Sequence, residues 1–121
     1  MCIFTSYFGN KHYLLSSGYK NLWSIAGITP EWFYHVGERY SKLAPKYSWW
    51  KEWHDNSLSE EWYIEKYYKT VLDKLNQNDV ILELGNNAVL LCYEGGSGKF
   101  CHRRIVANWI ENNTGINVKE I

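Results

Sequence analysis

A chain of 121 residues with thirteen basic and thirteen acidic side chains is the size of one domain around one core, and its zero net charge gives no global field that would draw it to nucleic acid or to an anionic membrane. No apolar run approaches the roughly 20 residues that span a bilayer, and MCIFTSYFGNKHY lacks the basic, apolar and small-residue order of a secretory signal, so the expectation is a cytoplasmic protein without membrane contact. Cys2, Cys92 and Cys101 have no repeated spacing, which argues against a disulfide framework and for reduced thiols. Seven Trp, ten Tyr and four Phe are the compositional outlier, and such rings serve either as core area or as stacking walls around a planar ligand.

In chain order, CIFTSYF and LWSIAGI are short apolar stretches ended by Gly9-Asn10 and Thr29-Pro30, and each reads as a strand. Lys11 to Lys20 carries no decisive pattern. GITPEWFYHVGERY predicts a short helix, with Thr29 as cap, Pro30 at the first position and Gly37 as stop. Ser48 is positioned to cap a turn through WWKEWH. In SLSEEWYIEKYYKTVLDKL, Ser57 and Glu60 have capping-box spacing, and Ile64, Tyr67, Tyr68, Val71, Leu72 and Leu75 recur at helical intervals. A further turn runs from Asp79 to Gly85. AVLLCYE is nearly continuous in apolar character, as a strand covered on both faces must be. A glycine loop, Gly95 to Gly98, leads to the helix CHRRIVANWIENNTG, which stops near Gly115, and INVKEI alternates as a last strand. The alternation predicts an α/β fold over residues 1–121: one three-layer domain with a largely parallel sheet of about four strands and flanking helices.

The candidate site is where that buried strand meets the last helix. Steps of 100° put Ile105, Val106, Trp109 and Ile110 on one helix face with His102 near its middle and Arg103 at its flank, while Cys92 and Glu94 share a face at the strand's carboxyl end, where open α/β sheets bind ligands. Arg103 and Arg104 oppose the helix macrodipole, at about 0.3–1 kcal/mol each when exposed. A bound phosphate or carboxylate would offset that, with Arg103 as the anion clamp. So would a pairing of Arg103 with Glu94, leaving Arg104 to solvent or Glu111. As an enzyme, the chain would use Glu94 or His102 as acid/base and Cys101 as nucleophile. Ser6 or Tyr7, with Cys92 and Arg103, would complete the ligand contacts, and Trp32, Phe33, Trp49 or Trp50 would supply an aromatic wall. For Cys92 and His102 the structural alternatives are a packed core thiol and a buried imidazole bonded to a carbonyl.

Two specific chemistries are disfavoured. GGSGKFCH lacks Walker spacing, and Ala107 stands where a Cys-x5-Arg phosphatase loop needs arginine. Cys92 and Cys101 would also serve as a redox pair or join His102 around zinc, but their offset matches no standard metal spacing and no fourth ligand is evident, so the sequence assigns no metal and no cofactor.

VLLCYEGGSGKFCHRRIVANWIEN, with IFTSYFGN and LAPKYSWWKEW, resembles the family called domain of unknown function four-eight-eight, in its short branch from bacteria and phages. Cys92, Glu94, Cys101, His102 and Arg103 map onto its Cys-x-Glu and Cys-His-Arg pattern. The resemblance implies a compact α/β fold with a pocket where these residues meet, and it supplies no activity. Family members often carry a basic residue just after the second strand, where this chain has Ala26, Gly27 and Ile28; His35 or Arg39 are the candidates to replace it.

The expected function is binding of a phosphate-bearing or nucleotide-like small molecule, with hydrolase or transferase chemistry as an extension. The alternatives are a non-catalytic module that binds a host factor or a signalling nucleotide, and direct nucleic-acid binding. The last is favoured by the Lys99 to Arg104 cluster and opposed by zero net charge and the acidic stretch from Glu60 to Glu83.

Overall fold

The computed structural model describes residues 1–93 and 100–121. In chain order these form β1 (Ile3–Tyr7), α1 (Lys11–Ser16), β2 (Leu22–Ser24), β3 (Glu38–Arg39), α2 (Tyr47–Asp55), α3 (Glu60–Thr70), α4 (Gln77–Leu84), β4 (Ala88–Cys92), α5 (His102–Thr114) and β5 (Val118–Glu120). Among the described residues the strands make one sheet in the order β3-β2-β4-β1-β5, with every neighbouring pair parallel. This is the small α/β architecture that the sequence predicts, with five strands in place of about four.

The extra strand is β3, two residues long, in a stretch read as one helix. Glu31–His35 form a 3-10 helix after Pro30, and Gly37 then lets the backbone pass close to Phe33, where an added Cβ would lie 2.6 Å from its ring. The chain is thereby turned into register with β2, Trp23 opposite Glu38. Helix starts also differ by a few residues. Ser59, not Ser57, caps α3 by accepting from the Trp62 N–H at 3.1 Å; Ser57 has a φ of 50°. Asn76, not Asp79, caps α4, its Oδ1 accepting from the Asp79 N–H at 3.1 Å. Ser48 lies inside α2, which begins at Tyr47. Gly115, left-handed at φ 74°, ends α5 as expected.

Along β4 the side chains alternate between two cores. Ala88 and Leu90 pack with Trp49, Tyr63, Tyr67 and Ile110 beneath α2 to α5, and Val89 and Leu91 pack with Phe8, Leu14 and Phe33 on the opposite face. Coverage on both faces explains a strand without a polar residue. From β1 the chain crosses to β2 on one side, and from β4 it crosses through α5 to β5 on the other. The two connections thus cross the sheet in opposite directions, the one through α1 on the Leu14 face and the one through α5 on the Ile110 face. Among the described residues no helix is long and apolar enough to cross a membrane.

Candidate functional site

The register sets Tyr7 beside Cys92 and Thr5 beside both Leu90 and Glu120. Period-two alternation therefore puts Thr5, Tyr7, Cys92 and Glu120 on the face that α5 covers, and Ser6 on the other. There the Ser6 hydroxyl donates to the Ile121 main-chain oxygen at 2.8 Å and accepts from Asn10 at 3.1 Å, on the side opposite α5.

Cys92 ends β4 and Cys101 directly precedes α5, and both are buried. The structure pairs them as a disulfide, with Cα atoms 7.3 Å apart, which corrects the expectation of unpaired thiols for these two. Spacing along the chain could not show this, because the contact is made by the packing of α5 on β4. The Cα separation exceeds the ~4.4–6.8 Å that disulfides usually span. Cys2 is the exposed free cysteine.

His102 is 6% exposed and sits against Ile25, whose carbonyl oxygen is 2.6 Å from Nε2. A carbonyl only accepts, so Nε2 carries the proton and Nδ1 keeps its lone pair, 3.9 Å from Cys101 Sγ. Burial lowers the His102 pKa from 6.5 to about 4; the bond to Ile25 opposes the shift and the Arg103 charge adds to it. An acid/base group works best with a pKa near the working pH. At neutral pH His102 instead offers a fixed lone pair.

Arg103 is a buried charge with several polar partners. It is 1% exposed, and its Nε and Nη2 donate to the Glu120 carboxylate at 2.9–3.1 Å while Nη1 donates to Cys92 Sγ at 3.0 Å. Its guanidinium carbon lies 5.9 Å from the centre of the Tyr7 ring. Arg104 reaches the same pair of strands: it donates to Thr5 Oγ1 at 2.8 Å, whose hydroxyl in turn donates to Glu120, and to the Val118 carbonyl at 3.3 Å. Among the described residues, the carboxylate that meets the unfavourable dipole position of Arg103 is Glu120 on β5. Glu111, the expected neighbour of Arg104, accepts from the Val118 N–H instead. Glu94 lies outside the described residues.

Beside this cluster lies a cavity of about 770 Å³ whose floor includes Cys92, Cys101 and His102 and whose walls include Trp50, Trp53, Tyr63 and Phe100. Tyr7, Ser6 and Arg103 are not part of its lining. Trp53, Tyr63 and Phe100 pack edge to face or tilted, at centroid distances of 4.9–5.8 Å, and Trp50 stacks between Tyr47 and His54. Of the aromatic residues proposed from sequence, Trp50 reaches the cavity. Trp49 is core, its indole N–H donating to Thr70 at 2.9 Å; Trp32 and Phe33 belong to the core on the other sheet face. Among the described residues, Arg39 and Lys46, both exposed, are the basic side chains that line the cavity with His102. Arg39 donates to the Gly27 carbonyl at 3.1 Å, which places it beside the Ala26-Gly27-Ile28 segment that lacks its own basic residue. Sequence reasoning missed Lys46, Trp53, Tyr63, Phe100 and Glu120; the only available signal was the one-face spacing of aromatic residues in YSWWKEWH.

A family model described as the active DUF488-N3 subclade matches residues 27–114. The chain belongs to this family. The matched span contains Cys92, Cys101, His102 and Arg103, which meet at the β4–α5 junction. No curated protein and no solved structure matches the chain.

Proposed function

We propose that this DUF488 protein binds a planar, anionic small molecule, a nucleotide or a compound like one, in the aromatic cavity at the carboxyl ends of β2 and β4. The observation that carries the reading is the pairing, in one cavity, of aromatic walls at Trp50, Trp53 and Phe100 with the cations Arg39 and Lys46. A volume of about 770 Å³ suits a single drug-sized ligand, and mostly apolar walls with a few placed polar groups are what such sites need. The anion contact falls to Arg39 and Lys46, because Arg103 is engaged by Glu120. Hydrolytic or transfer chemistry on the ligand would require the Cys92–Cys101 bond to be reduced first, because a disulfide sulfur is no nucleophile.

The test is a titration of intrinsic tryptophan fluorescence with nucleoside monophosphates, the matching nucleosides and inorganic phosphate. Stacking on an aromatic side chain contributes about 1–3 kcal/mol, so Phe100→Ala, at a cavity ring that has only edge or tilted neighbours, weakens a stacked nucleotide by about 5- to 150-fold. Arg39→Ala weakens the monophosphate more than the nucleoside. Absence of saturable binding by every nucleotide at millimolar concentration overturns the reading.

A further inference from the structure

We propose that Cys92, Cys101 and His102 are the protein ligands of a zinc-type divalent metal, with a fourth coordination position open to the cavity. The inference goes beyond the nucleotide reading and stands without it.

The ligand atoms of the three residues all lie within 4.8 Å of one another. Tetrahedral zinc with Zn–S of about 2.3 Å and Zn–N of about 2.0–2.1 Å places sulfur and nitrogen ligands about 3.6 Å apart. The observed Cys101 Sγ to His102 Nδ1 distance is 3.9 Å. Two sulfurs on one tetrahedral zinc stand about 3.8 Å apart, and Cα atoms 7.3 Å apart leave room for that once the pair is reduced.

The surroundings are those of a metal site. His102 donates its other ring N–H to the Ile25 carbonyl, the arrangement that fixes the tautomer of metal-ligating histidines. Arg103 donates to Cys92 Sγ at 3.0 Å, and charge-assisted donation of this kind stabilises a thiolate. Cys101 sits at the positive end of α5, which lowers the cost of its deprotonation. Two thiolates and a neutral imidazole also balance a doubly charged cation, leaving no net charge buried at the cavity floor. Thiolate and imidazole together select zinc over magnesium or calcium. Since all three residues line the cavity, the fourth position is available to water or to a bound ligand. Three protein ligands and one exchangeable position are the arrangement of catalytic zinc sites.

From the dithiol, the balance is one Zn²⁺ taken up and two thiol protons released, with no change of oxidation state. From the disulfide, a phosphine first breaks the S–S bond with two electrons, and water supplies both the oxygen of the resulting phosphine oxide and the two thiol protons.

The experiment uses the full chain, reduced with a phosphine and kept anaerobic, titrated with Co²⁺ and then Zn²⁺. We expect one equivalent of Co²⁺ with thiolate-to-metal charge-transfer absorption and tetrahedral d–d bands, displaced by Zn²⁺. Cys92→Ser and Cys101→Ser each lower zinc affinity by about 100-fold or more and reduce the charge-transfer band, while Cys2→Ser changes neither. Because either core variant is at risk of not folding, the wild-type protein gives a second readout. Zinc slows alkylation of Cys92 and Cys101 but not of Cys2, and a chelator restores the rate. A reduced, folded protein that takes up neither metal at micromolar concentration overturns the proposal. So does metal uptake that is lost with Cys2→Ser, or a Cys92–Cys101 bond that resists reduction until the chain unfolds.

Discussion

Arg103→Ala is the substitution on which the description of the β4–α5 junction stands or falls. The guanidinium is 1% exposed and Glu120 is 31% exposed, so the pair is asymmetric: solvent reaches the acid and not the base. Among the described residues, Nε and Nη2 of the guanidinium donate to Glu120 and Nη1 donates to Cys92. Removing one partner of a buried pair costs about 3–5 kcal/mol, and the hydration left to Glu120 puts this case at the lower end, about 3 kcal/mol. For a domain of this length 1 kcal/mol moves Tm by about 3–6 °C, so the expected fall is about 10–15 °C. Urea unfolding of the reduced protein, followed by circular dichroism, measures the free energy directly. A double-mutant cycle with Glu120→Gln isolates the pair term, expected at about 1.5–3 kcal/mol for hydrogen bonds between charged groups. Stability of Arg103→Ala within 1 kcal/mol of wild type, or a vanishing coupling with Glu120, would refute the view that this arginine holds β5 to the site.

His102 gives a prediction in pH. Its folded pKa of about 4 lies below the ordinary 6.5, so the unfolded chain binds more protons between those values; stability is fully present above pH 6.5 and declines as pH falls toward 4, by on the order of 3 kcal/mol. His102→Gln, which does not titrate, flattens that part of a stability-against-pH curve, and an unchanged slope would mean that the imidazole is not held neutral. Gly37→Ala brings a Cβ to within 2.6 Å of the Phe33 ring; overpacking of this kind costs about 1–3 kcal/mol, read as a lower urea midpoint, and a wild-type midpoint would show that the β2–β3 passage is looser than described.

Much of the fold was legible because its signals are local. The apolar run of β4 announced a doubly covered strand, Gly115 announced the end of α5, and the hydrophobic spacing around Tyr67 announced α3. Where neighbouring residues compete for the same local role, the signal failed: Ser57 and Ser59 both suit a cap, and so do Asn76 and Asp79, with the choice falling to the chain path between packed helices. Glu38 and Arg39 carry no strand pattern at all. They form β3 because Gly37 delivers them against the edge of β2, a contact between segments that local propensity does not encode.

The candidate site divides along the same line. Covalent neighbourhood and helical period were enough to group Cys101, His102 and Arg103 at the start of α5 near the end of β4, and to send His102 toward the sheet. Tertiary structure alone decided which groups they meet. Ile25 receives the imidazole, Glu120 receives the guanidinium, and Ser6 is turned to the far face by strand alternation once the register of β1 against β4 is set. Hydrophobic periodicity reports which side of an element is buried. It is silent about partners, because a buried arginine is stabilised by any well-placed carboxylate, and only the order β4-β1-β5 brings the one at position 120 within reach.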